Sequence, residues 1–184
     1  MGILRRYQSE IYGNYRLAYV RYGAVVGAVM AVVFLFFSLI GEPFKSPDSY
    51  ISDILLLVGI LFFSYRYRTT LPEGKVSFKE LMLLGLGIGA VAALVYGLYL
   101  WLHLGVVYPS QVQLMRDTEA AAMTAAGSEA LNMTEQQLAD NLRMVSDYGA
   151  GVWAFRGAFR SFVFSIIMAF VAALIFKTEM PRKS

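Results

Sequence analysis

Residues 81–108 read LMLLGLGIGAVAALVYGLYLWLHLGVVY, a run with no Asp, Glu, Lys or Arg and a single histidine, His103. As a helix rising 1.5 Å per residue it reaches roughly 42 Å, against the roughly 30 Å hydrocarbon core of a bilayer. A soluble core helix has no use for that length, so the stretch predicts a membrane span that tilts or protrudes. Within it Gly85, Gly89, Ala93 and Gly97 recur every fourth residue. That spacing clears one helix face of bulk. Another backbone can then approach closely, which is how helices associate where lipid supplies no hydrophobic drive.

Outward from this stretch the same pattern repeats. Spans are expected at about 20–41, 48–66, 80–108 and 153–177, the second having its short uncharged core between Asp53 and Arg66. The fold class is therefore all-α integral membrane, a four-transmembrane-helix bundle forming a single membrane domain over residues 1–184. Ahead of the first span, Leu4, Tyr7, Ile11, Tyr15 and Tyr19 recur at steps of three or four and predict an amphipathic interfacial lead-in. No small-residue cleavage site accompanies Arg5 and Arg6, so the first span is expected to stay in place.

Composition narrows the function classes. The chain has 184 residues, 58% hydrophobic and 16% charged, with a mean hydropathy of +0.55. A soluble domain carries roughly 25% charged residues, and a disordered chain far fewer apolar ones. The absence of cysteine removes thiol chemistry, Cys-ligated zinc and iron–sulfur clusters, and one histidine leaves no His-rich metal site or conventional triad. No phosphate-binding loop or H-E-x-x-H pattern occurs, and no acidic residue stands in the middle of a span. The expectation is a protein that is not an enzyme and uses no cofactor and no metal.

Charge gives the direction of the chain. Arg5, Arg6, Arg16 and Arg21 precede the first span, Arg66, Arg68, Lys75 and Lys79 lie between the second and third, and Lys177, Arg182 and Lys183 follow the fourth. The opposite side holds Glu42, Asp48, Asp117, Glu119, Glu129, Glu135, Asp140 and Asp147. By the positive-inside rule both termini are cytoplasmic, and the basic residues mark topology, with no nucleic-acid patch among them.

The one large extramembrane piece is 109–151, expected as an extracytoplasmic helical hairpin between spans three and four. Val112, Met115, Ala122 and Ala126 share one face of its first helix, which Gly127 is placed to end. Thr134 with Gln137 has the spacing of a capping box, and Leu138, Leu142 and Val145 form the apolar stripe that follows. Gly149 and Gly151 break the helix before the last span. A faint internal repeat also shows. Gly23-x-x-x-Gly27-Ala28-Val29-x-Ala31-x-Val33 matches Gly85-x-x-x-Gly89-Ala90-Val91-x-Ala93-x-Val95, which suggests two parallel two-helix halves.

The order of parts carries a resemblance. Tyr-Arg-Tyr-Arg closes span two, Gly74-Lys75-Val76-Ser77-Phe78 introduces span three, Tyr108-Pro109 ends it, and Met133-Thr134-Glu135-Gln136-Gln137-Leu138 opens the outer helix. From about residue 21 to 177 the chain resembles the bacterial family of four-span membrane proteins catalogued as domain of unknown function 4199. The resemblance implies a bacterial cytoplasmic (inner) membrane, and it carries no activity and no catalytic residues.

Two constellations remain. Gly23, Gly27 and Ala31 clear a face on span one like that of span three, and the two are expected to pack on each other inside one bundle, with a homodimer seam as the sharper alternative. Arg156 and Arg160 stand one turn apart near the outer end of span four, with Asp53 as the evident partner and Asp147 a second. One carboxylate for two cations would leave an anion site, since arginine offers a planar fork suited to phosphate oxygens. His103 and the tyrosines and tryptophans around it read as an interfacial belt. The leading functional reading is a non-catalytic subunit or scaffold that binds other membrane proteins, or itself, in the lipid bilayer. A lipid-binding protein recognising a phosphate headgroup at the Arg pair is the alternative, and a small transporter the third.

Overall fold

The computed structural model describes residues 15–40, 47–71 and 74–178, and every regular element among them is helical. In chain order these are α1 (Tyr15–Ile40), α2 (Pro47–Thr70), α3 (Phe78–Leu102), a π-helical turn (His103–Val107), α4 (Ser110–Ala130), α5 (Glu135–Ser146) and α6 (Ala150–Phe176). Four stretches are long and apolar enough to cross a membrane: Leu17–Ile40, Tyr50–Thr70, Phe78–Val107 and Ala150–Phe176. Span two thus runs a turn past 66, and span four starts three residues before 153. The start of the amphipathic lead-in, the segment 41–46, and the basic residues Arg5, Arg6, Arg182 and Lys183 lie outside the described residues.

The chain divides into two compact units, one holding residues up to Tyr96 and from Ala158 onward, the other being Gly97–Gly157. The second unit is larger than the expected insertion 109–151. It takes in the last turns of α3 and the first turns of α6.

The first unit is a four-helix bundle whose core is Met30, Leu56, Ile60, Leu84, Ile88, Ala92, Ala169 and Ala172, all fully buried. Its outer face is equally apolar, with Val32, Phe36, Ile54, Val58, Leu94 and Ile167 more than half exposed. An apolar exterior of this kind suits lipid, and the close approach of backbones then has to hold the helices together. A methyl group added at Gly23 would lie 2.6 Å from Val91 Cβ and 2.7 Å from the Ile88 carbonyl oxygen. One at Gly27 would lie 2.8 Å from the carbonyl oxygen of Ala92. The glycine face of α1 therefore packs on α3, but on its Ile88, Val91, Ala92 and Val95 side.

The glycine face of α3 has a different partner. A methyl at Gly85 would meet Ala169 Cβ at 2.7 Å and its Cα at 2.9 Å, and Gly89 lies against the Ser165 side chain, both on α6. The expected face-to-face match of the two stripes does not occur. It also follows that the sequence repeat has no counterpart in the packing. A two-fold relation would send Gly85 and Gly89 back onto α1, whereas they receive α6.

Two glycines outside any stripe matter as much. Val26 fills the space over Gly59, 2.6 Å from where a methyl would stand, and the Tyr19 ring rests on Gly87. Tyr22 stacks on Phe63 with centroids 4.3 Å apart, and Tyr96 lies within 3.3 Å of Ser52 Oγ, so aromatic and hydroxyl contacts tie α1 and α3 to α2.

The entry to α3 explains the Gly-Lys-Val-Ser-Phe motif. Ser77 N–H donates to Glu80 Oε2 at 2.9 Å and Glu80 N–H donates to Ser77 Oγ at 3.2 Å, a reciprocal cap on the first turn. Val76 is wholly buried, and its main chain is clasped by Thr178: Val76 N–H donates to Thr178 Oγ1 at 2.7 Å and Thr178 N–H to the Val76 carbonyl at 3.1 Å. At the other end Tyr108 N–H donates to the His103 carbonyl at 2.7 Å, a five-residue step that widens the last turn. Pro109 then forces Tyr108 out of helical backbone, to φ −137° and ψ 67°.

In the second unit α4 and α5 form the hairpin. Gly127 leaves helical geometry at φ 73° and ψ 169°, one short turn before α4 ends at Ala130. Asn132 takes the left-handed conformation at φ 53° and the chain reverses. Thr134 and Gln137 then cap α5 from both sides, with bonds of 2.9 and 3.1 Å. Val145 is buried and Leu138 and Leu142 are half-buried, so the apolar stripe of α5 faces inward. On α4 the expected row fails beyond Met115. Ala122 and Ala126 are exposed, and the inward row continues through Glu119 and Met123 instead.

Candidate functional site

The residues expected to form one anion site fall in different units, and each arginine has its own carboxylate. In the bundle, Arg160 Nη2 donates to Asp53 Oδ2 at 2.7 Å. Asp53 is buried in α2, while the Arg160 side chain is half exposed. A carboxylate inside an apolar bundle is costly without a cation, and an arginine on α6 reaches it with its long stem.

In the second unit, Arg156 Nη1 donates to both oxygens of Glu119, at 2.9 Å each. Its guanidinium lies over the Trp153 ring at 5.1 Å and near the Tyr148 ring at 5.8 Å. Arg116 Nε donates to the Tyr148 carbonyl at 2.8 Å. These contacts pin α4 to the end of α5 and the first turns of α6. Asp147 is exposed at the end of α5 and joins no ion pair among the described residues. The premise of one carboxylate for two cations is therefore corrected: Glu119, 37 positions from Arg156, is the second carboxylate.

The packing residues divide as well. Gly23, Gly27, Gly85 and Gly89 all meet a facing helix within the bundle, Ala93 is buried there, and Gly97 belongs to the second unit.

His103 is buried in the π-helical turn, with Nδ1 3.1 Å from Tyr99 Oη and its ring stacked on Tyr108 at 5.7 Å. Tyrosines four residues before and five after it were the signal, since the five-residue spacing fits a widened turn.

Two concave features accompany these clusters. Between α2 and α6 runs a groove of about 540 Å³, lined by the Asp53–Arg160 pair, Tyr50 and a set of apolar side chains. At the hairpin tip Asn132, Gln137, Asp140 and Asn141 surround a polar pocket of about 340 Å³. Among the described residues no group of three His, Asp or Glu side chains could hold a metal ion.

Four apolar spans around a close-packed core, with a helical hairpin between the third and fourth, define a multi-pass helical membrane protein. The chain belongs to the protein family of unknown function DUF4199, whose model matches residues 21–178. No curated protein and no solved structure matches it.

Proposed function

We propose that the protein is a non-catalytic membrane subunit that holds another membrane protein through its hairpin. The carrying observation is that α4 and α5 form a hairpin held by its own contacts, with carboxylates on its surface. The cap on α5, the Arg156–Glu119 pair and the Arg116–Tyr148 bond all lie within the second unit. Exposed on it are Asp117, Glu129, Glu135, Asp140 and Asp147, with Arg143 among them, together with the carboxamides of the tip pocket. An acidic arm of fixed geometry suits a partner with a basic segment at the same level, since complementary charge steers docking and sets its register. On the positive-inside rule we read this arm as lying outside the cytoplasm, with cytoplasmic termini and a bacterial inner membrane.

A solute path has less to support it. Ser38 and Ser165, buried in the bundle, spend their hydroxyls on carbonyls of their own helices at 3.0 and 2.6 Å.

The chain has no cysteine, so single-cysteine variants report one site each. In native membranes, a thiol crosslinker at Asp140→Cys should give one discrete adduct that 0.5 M salt weakens, while Leu94→Cys on the lipid-facing side of α3 gives none. No adduct at Asp140, or equal adducts at both positions, would end this reading.

A further inference from the structure

The groove between α2 and α6 has opposite charges at one end and apolar walls along the rest. We propose that it holds an aminophospholipid of the phosphatidylethanolamine type, with the ammonium on Asp53 and the phosphate on Arg160. The two helices run in the same direction, since Asp53 pairs with Arg160 near their starts and Tyr65 meets Phe176 near their ends. From the ion pair towards the middle of the spans, Ile54 and Leu57 on α2 face Val163, Phe164 and Ile167 on α6 across the groove. From Arg160 to Ile167 the trough is about 10 Å long, at 1.5 Å per residue, enough to seat the upper part of an acyl chain. Ile54 and Ile167 are more than half exposed, so the trough opens sideways, where lipid stands.

The charged end selects the headgroup. Asp53 Oδ2 takes one N–H of Arg160, and among the described residues neither Asp53 Oδ1 nor the other guanidinium N–H groups have a further partner. The pair carries no net charge. A purely anionic headgroup would gain the free donors of Arg160 but set its phosphate beside the Asp53 carboxylate. A choline headgroup has no N–H to give to Oδ1. A primary ammonium donates to Oδ1 while its phosphate accepts from the guanidinium fork, so both open valences are met by one zwitterion. The hydroxyl of Tyr50, on the more exposed end of the groove, adds a donor at headgroup level.

The site is independent of the hairpin, and its test reads a different quantity from the crosslinking above. The full chain, stripped of lipid in mild detergent, is offered mixed micelles holding equal phosphatidylethanolamine, phosphatidylcholine and phosphatidylglycerol, and adducts are counted by native mass spectrometry. The wild-type chain should retain phosphatidylethanolamine over each of the others by about tenfold, the worth of one charge-assisted hydrogen bond. Asp53→Asn leaves Arg160 positive and should turn the preference to phosphatidylglycerol. Val163→Trp fills the trough one turn from Arg160 and should lower retention of all three lipids at an unchanged unfolding temperature. Equal retention by the wild-type chain, or an undiminished phosphatidylethanolamine preference in Asp53→Asn, overturns the proposal. If Asp53→Asn does not fold, Val163→Trp decides, and wild-type retention there overturns it too.

Discussion

The two units of this chain solve the same problem with different forces. In the bundle, Gly23, Gly27, Gly85 and Gly89 let backbones come so close that a single methyl group would collide with a carbonyl oxygen, a Cα or a side chain. In the hairpin, glycine serves to turn the chain at Gly127, and the holding contacts are directional: a reciprocal cap, an arginine on a carboxylate, an arginine on a carbonyl. The difference follows from the solvent. Lipid tails are as apolar as leucine, so burial gains the bundle little and dispersion at short range must do the holding. Next to water an amphipathic stripe gains from burial, and polar bonds then fix the register.

This contrast makes bundle variants costly and hairpin variants mild. The largest effect is expected for Gly85→Val, whose side chain meets Ala169 Cβ at 2.7 Å and Cα at 2.9 Å, so that α3 and α6 must separate. Overpacking of this kind costs about 3 kcal/mol, read as a drop in unfolding temperature in detergent. A wild-type temperature would show that the seam between these helices is loose.

Gly127→Ala should come next. It has open space around it, but φ 73° with ψ 169° is backbone that side-chain-bearing residues hardly adopt. A cost of about 1–2 kcal/mol is expected. It should raise hydrogen exchange in α4 and α5 and leave the bundle amides unchanged. Spread of the effect into α1 and α2 would mean the two units unfold together.

Thr134→Ala removes one half of the α5 cap and should cost about 1 kcal/mol, seen as faster exchange in the first turn of α5 only. Smallest is Glu119→Gln. Arg156 keeps its place over Trp153 and Tyr148, and a half-exposed pair contributes about 0.5 kcal/mol or less, vanishing at high salt. A loss well above that would make the pair the hinge-pin of the hairpin.

The bundle was legible because length and charge are periodic signals that need no partner to be read. The glycine stripes were visible too, but not what they face. On α6 the receiving residues are Ala169 and Ser165, which look like any small residue in an apolar span. Gly59 and Gly87 were missed for the same reason, since one glycine makes no pattern and only Val26 and Tyr19 reveal its use. Local grammar read well where the chemistry spans a few residues: Thr134 with Gln137, or Gly127 as a break. Asp53 and Arg160 could be matched on sign and level along two spans. Glu119 could not, because whether an acid on α4 meets Arg156 depends on the fold of the hairpin between them.

The α3–α6 seam has a consequence for the order in which the protein is made. α3 emerges before α6, with the whole hairpin between them. During that interval Gly85 and Gly89 present a bare, methyl-free slot to the bilayer, open to any passing helix as much as to the right one. Translation speed through residues 109–157 therefore sets how long the slot stands empty. A pause there would give mispaired spans their opportunity.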